Sequence, residues 1–544
     1  MGLRNQRTWV GWATASVAML LVAGCSSGSS DGASSDGSAQ ESPGADKVSL
    51  GVWSTACDDQ LRPQNPCGIL DSQGREWLFR GVNARIEGVF DVNFDDGREP
   101  LEPIPSFDAS DTQAMQEIGF NLLRLPIQWS GIEPQPGQYD QEYIDRITEV
   151  IQLCEDAGIQ VLVDMHQDAY SKEIGEDGAP AWAIVPPPTE TNKGGELNLL
   201  AARLSKQTQQ AFASFWKNEK VDGKGLQEYY IDAMSEVMKA VKDSPAVVGM
   251  EVFNEPWLLH AQTLLTSQGA DPGLSLQMLD DFYAKAIPAL REIAPDKLVA
   301  FGPDVAKNDP PALPPGSSDQ QPYTAAVPDP IPWPTENTVY APHFYTKAFF
   351  NPGEESAGYP NIRPDDPDIT LNMNNSLSEA KQFSAPLLLG EFGFTEKAAQ
   401  YRATLDEFYR LADENVVSSA QWVWKENSQD AWGFYDFVDG QPVLREKAAD
   451  ETARAYPQAV SGRIKTVAFD PATGAVQVEF VYQDTGAPHQ VFVPVTYGYS
   501  GGFTLTCDGE EVTGEPLRDA GWLNVECGTD AGSEHTLAMA PKGE

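Results

Sequence analysis

Positive charge is scarce in this sequence of 544 residues. The chain has 37 lysines and arginines against 80 aspartates and glutamates, which gives a formal net charge of −43 at pH 7. An acidic surface repels the phosphate backbone of nucleic acids and the surface of anionic membranes, so a nucleic-acid partner is not expected. We interpret the excess as a solvated surface that keeps an exported protein soluble.

Signatures of metal and dinucleotide binding are also missing. The sequence has no CxxC pair and no HExxH motif, so neither a structural nor a catalytic metal is predicted. No GxGxxG follows the first strand candidate, which argues against a dinucleotide-binding fold. We therefore expect no metal and no cofactor.

The N-terminus has the features of an export signal. Arg4 and Arg7 precede an apolar stretch that is too short, and too closely followed by small residues, for a typical membrane span. The stretch ends in Leu21-Val22-Ala23-Gly24-Cys25, which resembles a bacterial lipobox, where the cysteine becomes the lipidated N-terminus. Residues 1–24 are therefore predicted to be a lipoprotein signal peptide.

A polar segment rich in serine and glycine follows Cys25, and residues 25–47 are predicted to be a flexible tether. The protein is thus expected to be exported and anchored at the cell surface through a lipid on Cys25. The alternative is an ordinary signal peptide with an incidental cysteine, which would leave the protein secreted.

Few cysteines remain for the exported chain. Cys57 and Cys67 bracket a short proline-containing loop, and Cys507 and Cys527 bracket a predicted hairpin, so two local disulfides are expected in an oxidising compartment. Cys154 lies in a segment of helical periodicity with no evident base beside it. It is interpreted as a buried free thiol rather than a nucleophile.

Residues 48–456 alternate short β-rich runs with longer segments of helical period, the pattern of a mostly parallel sheet wrapped by helices. The strand candidates are Trp77–Asn83, Asn121–Ile127, Ile159–His166, Ala246–Glu255, Lys297–Gly302, Thr338–Tyr345, Pro386–Gly393 and Ser419–Lys425. Eight such strands predict an α/β fold of the (β/α)8 TIM-barrel type, although an open doubly wound sheet gives similar local signals. Residues 457–544 change to short alternating runs, which predict a C-terminal antiparallel β-sandwich domain.

Two strand candidates carry a glutamate at or near their C-terminal end. Glu255 follows Asn254 at the end of the fourth candidate, and Glu391 lies near the end of the seventh, each after a strongly apolar run. A barrel brings the ends of its strands to one rim, where two opposed carboxylates are the groups that glycoside hydrolysis requires. A single strand-end glutamate could equally cap a helix or pair with an arginine.

Other strand ends carry groups suited to a sugar. Arg124 lies near the end of the second candidate, His166 ends the third with Asp168 just beyond it, and the sixth ends in His343-Phe344-Tyr345. Trp422 lies in the eighth. Each of these residues alone could be structural, but their recurrence at matching positions favours one shared site.

This order of residues resembles glycoside hydrolase family 5, whose barrel strands carry Arg, His, Asn-Glu, His-x-Tyr, Glu and Trp in succession. The segments VDMHQD, GEDGAPAWA, VFNEPW and LLGEFG look most like the endoglycoceramidases, including the subgroup that acts on galactose-linked ceramides. The resemblance implies a retaining endo-β-glycosidase that separates an oligosaccharide from ceramide. The implied substrate partner is a glycosphingolipid or a related β-glycoside.

The resemblance also implies roles for single residues. Glu391 would be the nucleophile and Glu255 the acid/base, with Arg124 and Tyr345 favouring the charged form of Glu391. The implied sugar-binding residues are Asn254 for the 2-hydroxyl, His166, His343 and Asp168 for other polar groups, and Trp422 as an apolar floor.

Two other functions remain open at this point. One is a polysaccharide-cleaving member of the same family, such as a β-glucanase or mannanase, and the other is a non-catalytic carbohydrate-binding lipoprotein. Many endoglycoceramidases carry a lysine shortly after the first strand, and here Arg85 is the nearest cation. Because Arg and Lys are not interchangeable at a hydroxyl-binding position, we expect galactose-linked ceramides to be preferred over glucose-linked ones.

Overall fold

The computed structural model describes residues 51–195, 199–258, 272–307, 323–346, 363–393, 400–426 and 433–542. The predicted signal peptide, Cys25 and the tether lie outside the described residues. Residues 48–544 form one compact unit. Within the described part of the chain, no helix has the length and apolar character needed to cross a membrane.

Eight parallel strands form a closed barrel, as predicted. They are β4 (Arg80–Asn83), β5 (Leu122–Ile127), β6 (Gln160–Met165), β9 (Val247–Glu251), β10 (Leu298–Phe301), the interrupted pair β11 (Thr338–Tyr340) and β12 (His343–Phe344), β13 (Leu388–Phe392) and β14 (Ser418–Gln421). Each strand pairs with its neighbour in chain order, and β14 pairs with β4. A parallel bridge between Tyr340 and Leu387 completes the circle.

Helices and short hairpins surround these strands. The helices are α1 (Ala109–Ile118), α2 (Trp129–Ile132), α3 (Gln141–Ala157), α4 (Leu199–Arg203), α5 (Lys206–Trp216), α6 (Leu226–Val241), α7 (Pro272–Ile293), α8 (Pro367–Phe383), α9 (Tyr401–Glu414) and α10 (Glu446–Thr452), with single 3-10 turns at Ala181–Ala183 and Val305–Lys307. The hairpins are β7 (Lys220–Val221) with β8 (Lys224–Gly225), and β15 (Tyr435–Val438) with β16 (Gln441–Leu444).

The C-terminal region is an antiparallel sandwich, also as predicted. Its strands are β17 (Tyr456–Val460), β18 (Gly462–Phe469), β19 (Val476–Tyr482), β20 (His489–Phe492), β21 (Phe503–Cys507), β22 (Glu510–Val512), β23 (Gly514–Arg518), β24 (Trp522–Val525) and β25 (Glu534–Pro541). They form two sheets that bury one apolar cluster between them. Disulfides join Cys57 to Cys67 and Cys507 to Cys527, and Cys154 is free and buried.

Strands from the N-terminal end of the chain belong to the sandwich. β1 (Trp53–Cys57), β2 (Cys67–Asp71) and β3 (Glu76–Trp77) extend the sheet that contains β17. The first strand candidate therefore divides in two: Trp77 pairs with Ala459 of the sandwich, and the barrel strand begins only at Arg80. The rings of Trp53, Trp77 and Phe79 pack against the barrel residues Leu122 and Leu388 in one buried cluster.

The two parts also meet at the end of α1. That helix ends at Gly119, whose φ of 100° suits glycine. A Cβ at this position would lie 2.3 Å from the Phe492 ring. The Tyr456 hydroxyl donates to the Gly119 carbonyl at 2.8 Å. Both the backbone angle and the close approach therefore require glycine here.

A buried carboxylate on β3 links the two sheets of the sandwich, because it contacts residues of β18 in the other sheet. This contact leads to a stability prediction. Glu76 accepts hydrogen bonds from Arg62 at 2.6 Å and from the Ile464 amide at 2.6 Å, and it lies 3.3 Å from the Arg463 Nε atom. Although burial alone would raise the pKa of Glu76, the charges of Arg62 and Arg463 lower it. The carboxylate is therefore charged, and its stabilising effect is lost only as the pH falls through this lowered pKa.

We expect Glu76→Ala to lower the free energy of unfolding by about 3–5 kcal/mol, because it leaves two arginines buried without their counter-charge. Urea unfolding followed by tryptophan fluorescence measures this change. Glu236→Ala, which removes an exposed ion pair with Lys239, is the matched control and should cost less than about 1 kcal/mol. Equal effects for the two variants would contradict the prediction.

Candidate active site

The guanidinium group of Arg124 lies at the centre of the barrel's C-terminal end. It is fully buried on β5 and donates to Glu251 at 2.8 Å, to Glu391 at 2.9 Å and to the side-chain oxygen of Asn254 at 2.8 Å. Its remaining partners are Asn83 at 2.9 Å and Asp164 at 3.1 Å. One cation thus connects side chains from five regions of the barrel and fixes their relative positions.

Glu391 is held from two sides. Its Oε1 atom accepts from Arg124, and its Oε2 atom accepts from the Tyr345 hydroxyl at 3.0 Å. The Nδ1 atom of His343 lies 3.4 Å from the same Oε2 atom. Because β12 and β13 pair with His343 opposite Glu391, the register of the sheet places these groups together.

Glu255 lies four residues beyond the end of β9, not on the strand itself. Its φ of 42° is in the left-handed region, a strained conformation for this residue type. The Gln167 side chain donates to the carbonyl groups of Asn254 at 2.9 Å and of Glu255 at 3.0 Å, which holds this backbone in place. The Oε1 atom of the Glu255 carboxylate lies at hydrogen-bond distance, 2.9 Å, from His343 Nδ1.

The two glutamates face each other across a short gap. One carboxylate oxygen of Glu255, one oxygen of Glu391 and a ring nitrogen of His343 all lie within 4.8 Å of one another. Carboxyl groups about 5 Å apart allow one of them to attack a sugar directly, whereas the inverting mechanism needs about 6.5–9.5 Å to admit a water molecule. The spacing therefore suits a double displacement.

The pKa shifts in the unliganded site differ from the expectation that Arg124 and Tyr345 favour the charged form of Glu391. Burial raises the pKa of Glu391 against the opposing charges of His343 and Arg124. Burial would also raise the pKa of Glu255, but the hydrogen bond and charge of His343, with the charge of Arg203, lower it. The cause is that His343 makes its shorter contact with Glu255 rather than with Glu391.

The rim beside the two glutamates carries further polar and aromatic groups. His166 Nδ1 lies 2.6 Å from Asp164, and its Nε2 lies 3.4 Å from Asp168. Burial alone would lower the pKa of His166, but Asp164 and Asp168 raise it well above its usual value, which favours the protonated ring. The ring of Trp422 stacks on that of His166 at 5.7 Å between centroids.

Family comparisons agree with this geometry. The profile of the cellulase family, glycosyl hydrolase family 5, matches residues 102–428, and that of the family 5 C-terminal domain matches residues 454–539. The chain belongs to glycoside hydrolase family 5. It is a glycosidase, and the range matched by the family profile includes both glutamates of the barrel rim.

Individual relatives give finer resolution. The chain is 26% identical over 456 residues to endoglycoceramidase I of Rhodococcus hoagii, covering 82% of each protein. Among solved structures, endo-glycoceramidase II from a Rhodococcus species has a TM-score of 0.68 at 25% identity, covering 87% of this chain and 99% of that one. Solved structures of that Rhodococcus enzyme also include a lactosyl-enzyme intermediate and a complex with ganglioside GM3. An endogalactoceramidase has a TM-score of 0.61 at 23% identity, covering 87% and 98%.

All the residues that the sequence assigned to this family 5 site lie at one end of the barrel, and their individual roles remain predictions. Asn254 differs in detail from the expectation. Its oxygen accepts from Arg124, and its amide donates to the Gln167 carbonyl at 3.0 Å. The side chain is therefore oriented by the protein before any sugar arrives.

Arg85 is enclosed rather than open to the site. It is 4% exposed and bonds to Glu102 and Glu426, with Glu176 at 3.9 Å, and its guanidinium group lies 5.8 Å from the Trp422 ring centre. Its charge is thus neutralised by carboxylates of the protein.

At the rim of the barrel, two groups of described side chains have donor spacings that a metal could use. One is the pair of glutamates with His343, and the other consists of Asp168, Glu176 and Asp177. Both groups already contact cations of the protein: Arg124 in the first, and Arg203 in the second. A metal would have to displace or outcompete these partners, so the donor chemistry does not favour one.

Three site residues were not found from the sequence. Asn83 ends its strand candidate and could have been recognised by that position. Glu251 was detectable as a charge inside an apolar strand, which requires a buried partner. Arg203 gives no such signal, because it lies on a short helix in the long segment after β6.

Proposed function

We propose that this family 5 hydrolase is a retaining endo-β-glycosidase that cleaves the bond between the glycan and the ceramide of glycosphingolipids. The observation that carries the proposal is the approach of one carboxylate oxygen of Glu255 to within 4.8 Å of one of Glu391, a closeness that a retaining mechanism requires. Similarity to endoglycoceramidase I over 82% of the chain supports ceramide as the leaving group.

In the first step, Glu391 attacks the anomeric carbon and forms a glycosyl-enzyme bond. The bond from that carbon to the ceramide oxygen breaks, and this oxygen takes the proton of Glu255. Arg124 and Tyr345 hold the two Glu391 oxygens, so the attacking carboxylate needs no reorganisation. Ceramide leaves as the free alcohol.

In the second step, water attacks the anomeric carbon and gives its proton to Glu255, and the bond to Glu391 breaks.

Before the first step, the bound substrate changes the surroundings of Glu255. The sugar excludes water from the gap between the two glutamates and places a neutral oxygen next to Glu255. This change favours the protonated form of Glu255, which the unliganded site does not favour.

A panel of glycosphingolipids and soluble β-glucans tests the proposed substrate. We expect free ceramide and one intact oligosaccharide from the glycolipids, identified by mass spectrometry, with the β-glucans cleaved at least about tenfold less efficiently. Cleavage of the glucans alone would show a polysaccharide-cleaving enzyme. The variant Glu391→Gln is the control for contaminating activity.

The same panel compares the sugar next to ceramide. We propose a preference for galactose-linked over glucose-linked ceramide, because the region after β4 has no lysine and Arg85 is neutralised by carboxylates. One buried hydrogen bond to the 4-hydroxyl is worth about 1–3 kcal/mol, or about ten- to hundred-fold in kcat/KM. A higher kcat/KM for the glucose-linked substrate would refute this preference.

Small-anion rescue tests the roles of the glutamates. Glu255→Ala and Glu391→Ala should each lower turnover by about three orders of magnitude or more without unfolding the barrel. With azide and an activated aryl glycoside, Glu255→Ala should give the β-glycosyl azide and Glu391→Ala the α-glycosyl azide, because azide occupies the space of the lost carboxylate. The opposite pairing of products would exchange the two roles.

We propose in addition that the chain is exported and held at a membrane through a lipid on Cys25. The lipobox-like segment and the polar tether support this proposal. Cys25→Ser should move the protein from the membrane fraction to the medium, measured by immunoblotting of the two fractions. Ser26→Ala is the matched control, and an unchanged distribution of Cys25→Ser would contradict the anchor.

A further inference from the structure

Arg203 contacts two acidic residues of the site, Asp168 after β6 and Glu255 after β9. It is the last residue of α4, and its Nε atom donates to the Asp168 carbonyl at 2.8 Å while its Nη2 atom bonds to the Asp168 carboxylate. The same Nη2 atom lies 3.6 Å from the Oε2 atom of Glu255. Its guanidinium carbon also lies 5.8 Å from the ring centre of Trp257, two residues after Glu255.

The position of Arg203 is fixed by Asp168. The Asp168 amide donates to Asp177 at 2.9 Å, and its Oδ2 atom lies 3.4 Å from the His166 ring. Because these contacts fix both the backbone and the carboxylate of Asp168, its carbonyl and its carboxylate together fix the Arg203 guanidinium group at two points. The distance from Arg203 to Glu255 is therefore set by the site rather than by a freely moving side chain.

The two oxygens of Glu255 have different surroundings. Oε1 contacts His343 Nδ1 at 2.9 Å, whereas Oε2 faces Arg203 at a distance too long for a normal hydrogen bond. Because Oε1 is engaged by His343, Oε2 is the carboxylate oxygen of Glu255 that has no hydrogen bond to either cation. Arg203 acts on this oxygen as a nearby positive charge and does not compete for the proton.

Several charged or titratable groups from four segments of the chain surround the Glu255 carboxylate. They are His343, Arg203, Asp168, Glu391 and Tyr345. His343 is shared with Glu391, so among the residues that the structure describes Arg203 is the cation that faces Glu255 without also contacting the other glutamate. The lowered pKa of Glu255, due to His343 and Arg203 against the effect of burial, agrees with this arrangement.

We propose that Arg203 is a positioning residue that stabilises the carboxylate left on Glu255 when its proton passes to the leaving oxygen. The inference deepens the proposed function and rests on Glu255 being the acid/base. In the first step the Glu255 O–H bond breaks, the leaving oxygen gains the proton, and the negative charge remains on Oε2 beside Arg203. In the second step the same oxygen recovers a proton from water.

The test compares substrates that differ in their need for an acid. Arg203→Gln should lower kcat/KM for the glycolipid about 10- to 100-fold, because an alkoxide leaving group depends on the proton. An activated aryl glycoside with a dinitrophenyl leaving group needs little protonation, so its kcat/KM should fall less than about threefold. Normal cleavage of the aryl glycoside also shows that the variant folds.

The pH profile distinguishes a charge effect from a structural one. Removing the cation of Arg203 raises the pKa of Glu255, so the alkaline limb of kcat/KM for the glycolipid should move to higher pH. Asp168→Asn removes a negative charge and should move the same limb to lower pH. Arg203→Lys retains the positive charge, so the alkaline limb of its profile should lie at the wild-type pH. The lysine cannot make both of the contacts that Arg203 makes with Asp168.

Arg98→Gln is the matched control, because Arg98 also pairs with two carboxylates, Asp96 and Glu173, but away from the glutamates. It should leave both substrates and the pH profile unchanged. Equal losses on both substrates with an unmoved alkaline limb, or no loss at all in Arg203→Gln, would overturn the proposal. If the wild-type enzyme cleaves a β-glucan instead of the glycolipid, the proposed substrate fails, but the same comparison on the glucan still tests Arg203.

Discussion

The active site depends on the burial of one positive charge, the guanidinium group of Arg124. A buried cation is costly unless every donor finds a partner, and here the partners come from β4, β6, β9, β13 and the turn after β9. The barrel closes around this charge, so the carboxylates near it cannot move independently. The position of Glu391 follows from the need to satisfy Arg124.

Competition for His343 governs the rest of the site's chemistry. This ring lies between Glu255 and Glu391, and it contacts Glu255 more closely. Two carboxylates that share a cation cannot both be stabilised fully by it. The enzyme therefore uses separate partners for the two groups: Arg124 and Tyr345 for Glu391, and Arg203 for Glu255. Two identical side chains can then differ in charge during the reaction.

Much of this site was predictable because strand ends are short-range features. An apolar run followed by Arg124, His166 or Glu391 can be read locally, and the barrel topology converts these local positions into one rim. The directions of the pKa shifts of Glu255 and Glu391 were not predictable, since they depend on burial and on the distances from His343 to the two carboxylates. Arg203 was missed because its role depends on a contact across a long loop.

The fold showed the same limit at Trp77–Asn83. The run is uniformly suited to a strand, and its residues are predicted to belong together. In the structure, Trp77 pairs with Ala459 while Arg80 pairs with Ser419, so a single stretch serves two sheets. Only the tertiary contacts of its neighbours decide where one sheet ends and the other begins.

The packing of Trp53 and Trp77 against the barrel has a consequence for how this protein can be divided. These rings lie on strands of the sandwich sheet, yet they fill the end of the barrel opposite the active site. A cut at the predicted boundary after Tyr456 would strip β17 from β3 and expose the surface that these rings need. The catalytic barrel and its C-terminal partner therefore depend on each other for a complete core, unlike enzymes whose accessory domain is attached only by a linker.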